Sequence, residues 1–209
     1  EIDYFKLEKT KKIALFYQNT VLYKDVITSY GDCLMDVKTN AALFHILKSA
    51  YGDEFYIPTE SRLALPKTPL IHPLLYITYY DPTFTEDQLP PGECYMENAG
   101  WYINRTGKYA LGAKGGTNGE SHNHNDVGSF IFAMDNRQIF IDMGGRPYTK
   151  DYFTDARYQY LETSSRGHNV PIINGKYQSA GIKDKADIFV EKENEYAFSM
   201  EKVYEVESL

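Results

Sequence analysis

Gly115-Gly116-Thr117-Asn118-Gly119-Glu120-Ser121-His122-Asn123-His124-Asn125-Asp126-Val127-Gly128-Ser129-Phe130 is the stretch from which the rest of the chain is read. Two histidines, an aspartate, a glutamate and three asparagines follow a glycine-rich run. The stretch then turns into an apolar, strand-like segment, Ser129 to Met134. Polar groups this dense at the head of a strand are costly to keep unless they bind something. Three of the chain's five histidines, counting His168, fall in this half. The reading is a metal-supported catalytic corner.

The 209 residues are 43% hydrophobic and 24% charged, an ordinary globular balance with enough apolar content for a core. Nineteen tyrosines suit both β-sheet packing and a carbohydrate-binding surface, where the ring stacks and the hydroxyl bonds. A formal charge of −7, with no Lys/Arg block, argues against a nucleic-acid partner. Cys33 and Cys94 have neither metal nor disulfide spacing and read as small buried residues. No segment approaches a membrane span, so no membrane insertion is expected, and the first residues carry no signal-peptide pattern. The chain opens on Glu1 rather than methionine and stops three residues after a strand-like segment, so truncation at both ends is expected.

Around the central stretch the periodicity divides the chain. Residues 1 to about 25 read as mostly helical, Tyr30-Gly31-Asp32 as a turn, and Ala41 to Tyr51 as a helix capped by Thr39-Asn40 and stopped by Gly52. Leu70 to Tyr80 reads as a third helix, with Pro73 in its first turn. Asp81-Pro82 and Pro90-Pro91-Gly92 break the pattern. Beyond them a period of two predicts strands over 97–105, 109–113, 129–134, 138–143, 170–173, 186–191 and 196–206. The expectation is an α+β chain, with a helical piece over 1–88 and an antiparallel β-sandwich domain over 89–209. A truncated sandwich would expose strand edges that can pair between chains, so a homo-oligomer is one expectation.

The hairpin from Ser129 to Met143 decides whether its carboxylate reaches the histidines. A three-residue turn at Asp135-Asn136-Arg137 sets Phe130 opposite Asp142 and allows Asp142 to meet His124; a two-residue turn places it on the other face. His168, just before another strand-like run, could supply a third ligand. Two histidines and a carboxylate leave an open position and suit Zn²⁺, although each histidine alone also fits a hydrogen-bonded residue at a strand end.

Gly119-Glu120-Ser121-His122-Asn123-His124-Asn125-Asp126-Val127-Gly128-Ser129-Phe130, then Phe140-Ile141-Asp142-Met143-Gly144-Gly145, then Arg166-Gly167-His168-Asn169-Val170-Pro171-Ile172-Ile173-Asn174-Gly175-Lys176, resemble the heparinase II/III-like family in content and order. The family comprises polysaccharide lyases acting on heparan-type chains, alginate and oligoalginate. The helical piece with Tyr30-Gly31-Asp32-Cys33 also resembles the last turns of that family's (α/α) toroid. The resemblance implies the end of a toroid followed by the start of a β-sandwich, and a periplasmic or extracellular bacterial setting.

It further implies that His124, Asp142 and His168 hold zinc, and that His122 stands at the catalytic cleft to abstract a proton or orient substrate. Asn123 and Glu120 beside it either touch substrate or stabilise the loop. A tyrosine is the acid in this family. Tyr148, Tyr152, Tyr158 and Tyr160 lie between Asp142 and His168, and Tyr158 and Tyr160 flank the metal region most closely. Arg157 and Arg166 would pair with carboxylates of an acidic polysaccharide or oligosaccharide, or else form surface ion pairs.

The reaction so implied is β-elimination beside a uronic acid, which needs the substrate carboxylate neutralised, a base for the C5 proton and an acid for the departing O4. The family's toroid residues find no match here, and His45 and His72 sit in apolar helical surroundings that suit structural roles. The 209 residues alone are therefore expected to be inactive. The second reading is a non-catalytic carbohydrate-binding or structural β domain that keeps the metal. A zinc hydrolase is weaker, since no His-Glu-x-x-His occurs.

Overall fold

The computed structural model describes residues 3–35, 37–58 and 70–204, with backbone alone at 72 and 189–191. The chain is α+β and clusters into two units, one of residues 1–27 with 38–90 and one of residues 28–37 with 91–209. The segment carrying Tyr30-Gly31-Asp32-Cys33 is thus grouped with the β-rich unit.

In the first unit, helix α1 (Glu8–Asn19) buries Ala14 and Gln18. The Gln18 amide is tolerable inside because it donates to the Glu54 carbonyl at 3.1 Å and accepts from Tyr56 N–H at 2.9 Å. The helix stops short of residue 25: Val21 and Ile27 pair across a short hairpin, β1 (Val21–Tyr23) with β2 (Val26–Ile27). Helix α2 (Ala41–Tyr51) starts where Asn40 Oδ1 accepts from Leu43 N–H and ends at Gly52, whose φ of +65° favours glycine. Val21, Phe44 and Ile57 form one core cluster and Ala14, Leu47 and Phe55 another. Strand β3 (Ile57–Pro58) pairs in parallel with β4 (Glu86–Asp87), and helix α3 (Ile71–Tyr79) carries Pro73 in its first turn.

His45 is structural, as its apolar surroundings suggest. It is 5% exposed, accepts from Asp81 N–H at 3.4 Å, and lies 5.0 Å from the Tyr80 ring and 5.5 Å from the Tyr76 ring. The surroundings of His72 lie outside the described side chains.

The second unit centres on a five-stranded antiparallel sheet. Its members are β5 (Gly92–Met96), β6 (Trp101–Arg105), β7 (Tyr109–Lys114), β9 (Phe130–Met134) and β10 (Arg137–Phe140), in the order β10-β9-β7-β6-β5. Strand β8 (Thr117–Asn118) pairs with β11 (Gly181–Lys185), and β12 (Asp187–Lys192) with β13 (Glu195–Ser199). Along β7 and β9 burial alternates, with Ala110, Gly112 and Lys114 inward beside Ile131 and Ala133.

Several expected boundaries move. The strand expected over 97–105 begins at Trp101, because Glu97 to Gly100 is the turn after β5. Residues 170–173 form no strand beyond a single bridge from Ile173 to Lys176. The strand expected over 196–206 ends at Ser199, and a single helical turn, α4 (Glu201–Tyr204), follows. Burial decides that change: Val203 and Tyr204 pack on Val127, and Ser199 Oγ accepts from Glu201 N–H. Residues 205 and 206 lie outside the described residues.

Burial holds His45 below the ordinary histidine range, against the weaker pull of Asp81 and Glu86. The unfolded chain takes up this proton near pH 6.5 and the folded chain only lower, so the stabilisation is full above pH 6.5 and is lost as pH falls from there. Thermal melts from pH 7.5 to 5.5 should show a fall in Tm that is smaller in His45→Gln, whose side chain cannot charge.

Candidate active site

The hairpin β9–β10 brings Asp142 into place by an unexpected route. Its turn has two residues, Asp135 and Asn136, at φ of +49° and +57°, with Met134 paired to Arg137. That register would set Asp142 on the wrong face. A register shift between Gln138 and Phe140 then adds one residue and pairs Phe140 with Phe132, the offset that a three-residue turn would have produced. Asp142 is fully buried; its Oδ2 accepts from Ser129 Oγ at 3.0 Å and from His168 Nδ1 at 2.7 Å, and its Oδ1 from Gly144 N–H at 2.9 Å. Burial pushes this carboxyl up, but those donors outweigh it and hold it low, while the same bond raises His168 despite its burial.

Around this pair the loop from Asn118 to Gly128 is pinned by amides. Asn118 donates to Gln178 Oε1 and the Ser179 carbonyl, and Gln178 donates to the Val127 carbonyl and accepts from Val127 N–H. Asp126, fully buried, is ion-paired with Lys114, itself 2% exposed, at the inward end of β7. One ligand atom each from Asp126, Asp142 and His168 lie within 4.8 Å of one another. The His124 ring centre is 5.3 Å from that of His168. Three polar atoms in this corner are buried without a hydrogen-bond partner: His124 Nδ1, His168 Nε2 and Asp126 Oδ2. Orphaned buried nitrogens and oxygens are rare and costly, and this donor set suits a divalent cation. The structure therefore brings the sequence-predicted His124, Asp142 and His168 together and adds Asp126.

A second carboxylate, Asp32, organises the face beside this corner. Its Oδ1 accepts from His124 Nε2 at 3.0 Å, from Tyr152 Oη and from Arg157 Nη2 at 3.3 Å. Its Oδ2 lies 2.9 Å from His122 Nδ1 and accepts from Tyr148 Oη at 2.8 Å. Burial would raise Asp32, but the bonds from Tyr152, His122, Tyr148 and His124 prevail and keep it below the usual carboxylate range. An ionised carboxylate only accepts, so His124 donates through Nε2, and its neutral ring leaves the buried, unpartnered Nδ1 as a lone pair.

His122 and Tyr148, with rings stacked at 6.4 Å, line a cleft of about 420 Å³ together with Tyr30, Trp101, Glu120 and Asn123. Tyr148 Oη is 3.1 Å from His122 Nδ1, and its bond to Asp32 followed by burial raises its pKa, so it stays protonated. Glu120 is raised by burial against the pull of Lys114.

The remaining expected site residues are engaged elsewhere. Asn123 spends its amide on the Asn118 and His124 carbonyls and accepts from Tyr158 Oη at 3.1 Å, which fits loop support. Tyr160 lies under the Arg146 guanidinium at 3.9 Å. Arg157 bonds Asp32 and the Asn123 carbonyl and stacks on Tyr152 at 4.5 Å. Arg166 holds Ser164 Oγ and the Gln159 carbonyl. Of the four candidate tyrosines, the cleft receives Tyr148, rather than Tyr158 or Tyr160. Sequence reading passed over Asp32, because its partners lie 90 or more residues away. Asp126 was visible in the motif but was not read as a ligand.

Residues 90–201 match the family described as Heparinase II/III-like, C-terminal. The chain belongs to the heparinase II/III-like family. Its fold is similar to a crystal structure of heparinase III, at 16% identity and a TM-score of 0.62, over 95% of this chain and 31% of that one. A heparan sulfate lyase HepC mutant from Pedobacter heparinus matches at 15% identity and a TM-score of 0.58, over 93% of this chain and 28% of its own. The chain thus spans under a third of the length of these two structures. No curated protein matches it.

The family's C-terminal region here encloses a buried lysine whose partner is a buried carboxylate. Lys114→Met would leave Asp126 without its counter-charge and should destabilise the metal-free chain by about 3–5 kcal/mol. Urea denaturation in chelator checks this, and Asp126→Leu added to Lys114→Met should recover part of the loss.

Proposed function

We propose that this chain is part of a polysaccharide lyase that cleaves an acidic, uronic-acid-containing polysaccharide by β-elimination. The observation that carries the reading is His122 beside Tyr148 in an open cleft, in a chain of the heparinase II/III-like family. The structural neighbours named for heparinase III and heparan sulfate lyase support a glycosaminoglycan of the heparan type as the first substrate to try.

The chemistry follows from the side chains. His122 is 65% exposed at its ring, and with Nδ1 turned to Asp32 its Nε2 is the edge available to take the C5 proton of the uronic acid. Breaking the C4–O4 bond forms the C4–C5 double bond, and Tyr148, held protonated, can deliver a proton to O4. Arg157 and Arg166 are tied to protein oxygens, so neutralising the substrate carboxylate falls to groups outside those two. In this reading zinc would be held by His124, Asp142 and His168, with Asp126 in reach, and would fix the corner that supports His122.

The first unit is read as the end of an (α/α) toroid and the second as the start of a β-sandwich. Exposed apolar side chains on α1 and α3, Ile13 at 61% and Ile77 at 74%, suit faces that further toroid helices would cover. A periplasmic or extracellular bacterial location accords with a polymeric substrate.

Metal analysis of the purified chain should find about one zinc, lost in His124→Ala and Asp142→Ala. Zinc in neither wild type nor variants, with the fold intact, would sink the metal assignment. In the full-length protein, ultraviolet absorbance of unsaturated uronates should appear with heparan sulfate, and His122→Ala or Tyr148→Phe should lower kcat by about 10²–10⁴-fold. The 209-residue chain alone should be inactive. Binding of polysaccharide without any unsaturated product from the full-length protein would favour a non-catalytic carbohydrate-binding domain.

A further inference from the structure

We propose that Asp32 is the positioning residue of this site: it fixes His122 with its proton on Nδ1, leaving Nε2 as the ring's acceptor toward the cleft. The inference rests on the reading of His122 as the group that meets substrate.

Asp32 grips His122 twice. Its carboxylate Oδ2 stands 2.9 Å from the ring Nδ1, and its backbone N–H donates to the His122 carbonyl at 3.2 Å. The grip forces the backbone on both sides. His122 is a non-glycine residue at φ of +60°, a left-handed conformation that side chains with a Cβ rarely adopt. Gly31 faces it at φ of +62°, and a Cβ there would stand 2.6 Å from the His122 carbonyl oxygen. Only glycine permits this approach, so the turn Tyr30-Gly31-Asp32 is shaped to meet His122. Strain held on a cleft histidine by a dedicated turn is the mark of a side chain that must point one way.

The carboxylate is also in a position to impose a tautomer. Its side chain is 9% exposed; Tyr152 Oη, Tyr148 Oη and Arg157 Nη2 donate to it, and His124 Nε2 and His122 Nδ1 stand 3.0 and 2.9 Å from its oxygens. Such a group cannot donate in return, so the ring nitrogen facing it must carry the hydrogen. The two oxygens divide the work: Oδ1 takes the buried His124, and Oδ2 the exposed His122 with Tyr148. One side chain thereby orients the histidine of the buried cluster and the histidine of the cleft. Tyr148 meets the same oxygen, which keeps its phenol beside His122 rather than free in solvent.

The test is a long-range proton–nitrogen correlation spectrum of the ¹⁵N-labelled, zinc-loaded 209-residue chain, at a pH where the His122 ring is neutral. The wild type should show His122 protonated on Nδ1, and Tyr148→Phe should keep that pattern, since the Asp32 bond survives. Asp32→Asn should lose it, with the proton moving wholly or partly to Nε2. A wild-type His122 protonated on Nε2 overturns the proposal, even if no Asp32 variant folds. So does an unchanged tautomer in a folded Asp32→Asn.

In the full-length protein Asp32→Asn should lower kcat on the order of 10²–10⁴-fold with KM little changed. An active parent whose kcat ignores Asp32→Asn overturns the positioning role. A parent without lyase activity whose His122 still shows the Nδ1–H form refutes the lyase reading and leaves the tautomer assignment supported.

Discussion

Asp142 and His168, both buried and 2.7 Å apart, set the terms for everything around them. Taking a carboxylate out of water costs several kcal/mol unless donors replace the lost hydration, and Asp142 collects three: a histidine, a serine hydroxyl and a backbone N–H. None of these is interchangeable with a looser arrangement. Ser129 must stand at the mouth of β9, Gly144 must turn at φ of +62°, and the β10 register must shift by one residue. The shift after Gln138 is therefore best understood as the device that delivers a charge to its partners. The Lys114–Asp126 pair obeys the same rule on the neighbouring strand, where an inward β7 position would ordinarily hold an apolar side chain.

Room for the second carboxylate comes from a missing side chain. A Cβ on Gly112 would meet Thr28 Cγ2 at 3.0 Å, Tyr30 Oη at 3.2 Å and Ile103 Cδ1 at 3.3 Å. Thr28 and Tyr30 lie against the sheet there, and Leu34 bridges to Gly144 just beyond Asp142. Asp32 is thus carried in by a segment more than 80 residues away in sequence from the loop it serves. Its carboxylate links two tyrosines, an arginine and two histidines that would otherwise be separate surface features.

How much of this was legible in the sequence follows from the range of each interaction. Local signals were read correctly: Asn40 and Gly52 bound α2, Pro73 sits in the first turn of α3, and alternation marked the inner strands. The motif blocks placed His124, Asp142 and His168 in one corner, where the structure has them. The hairpin turn is a counterexample, since Asp135-Asn136 closes a two-residue turn at positive φ and only the register shift beyond it restored the offset that a three-residue turn would give. The tyrosines lie otherwise than their proximity in sequence suggests. Tyr158 and Tyr160 are nearer His168 along the chain, yet Tyr148 reaches the cleft, because the intervening residues coil into short 3₁₀ turns at Lys150–Phe153 and Asp155–Gln159. Asp32 left no local trace beyond a glycine in a turn.

His122 and His124 show why the spacing of two residues matters and why it is not a strand. In extended backbone both rings would share one face and one environment. Here His122 turns left-handed, so its ring stands 65% exposed while that of His124 is fully buried, and still both reach the same carboxylate. A buried imidazole with a lone pair on an orphaned nitrogen suits holding a cation; an exposed one beside a phenol suits exchanging a proton with something in the cleft. The left-handed backbone at His122 separates the two environments within three residues. Asp32 joins the two environments, its Oδ1 3.0 Å from the buried ring of His124 and its Oδ2 2.9 Å from the exposed ring of His122.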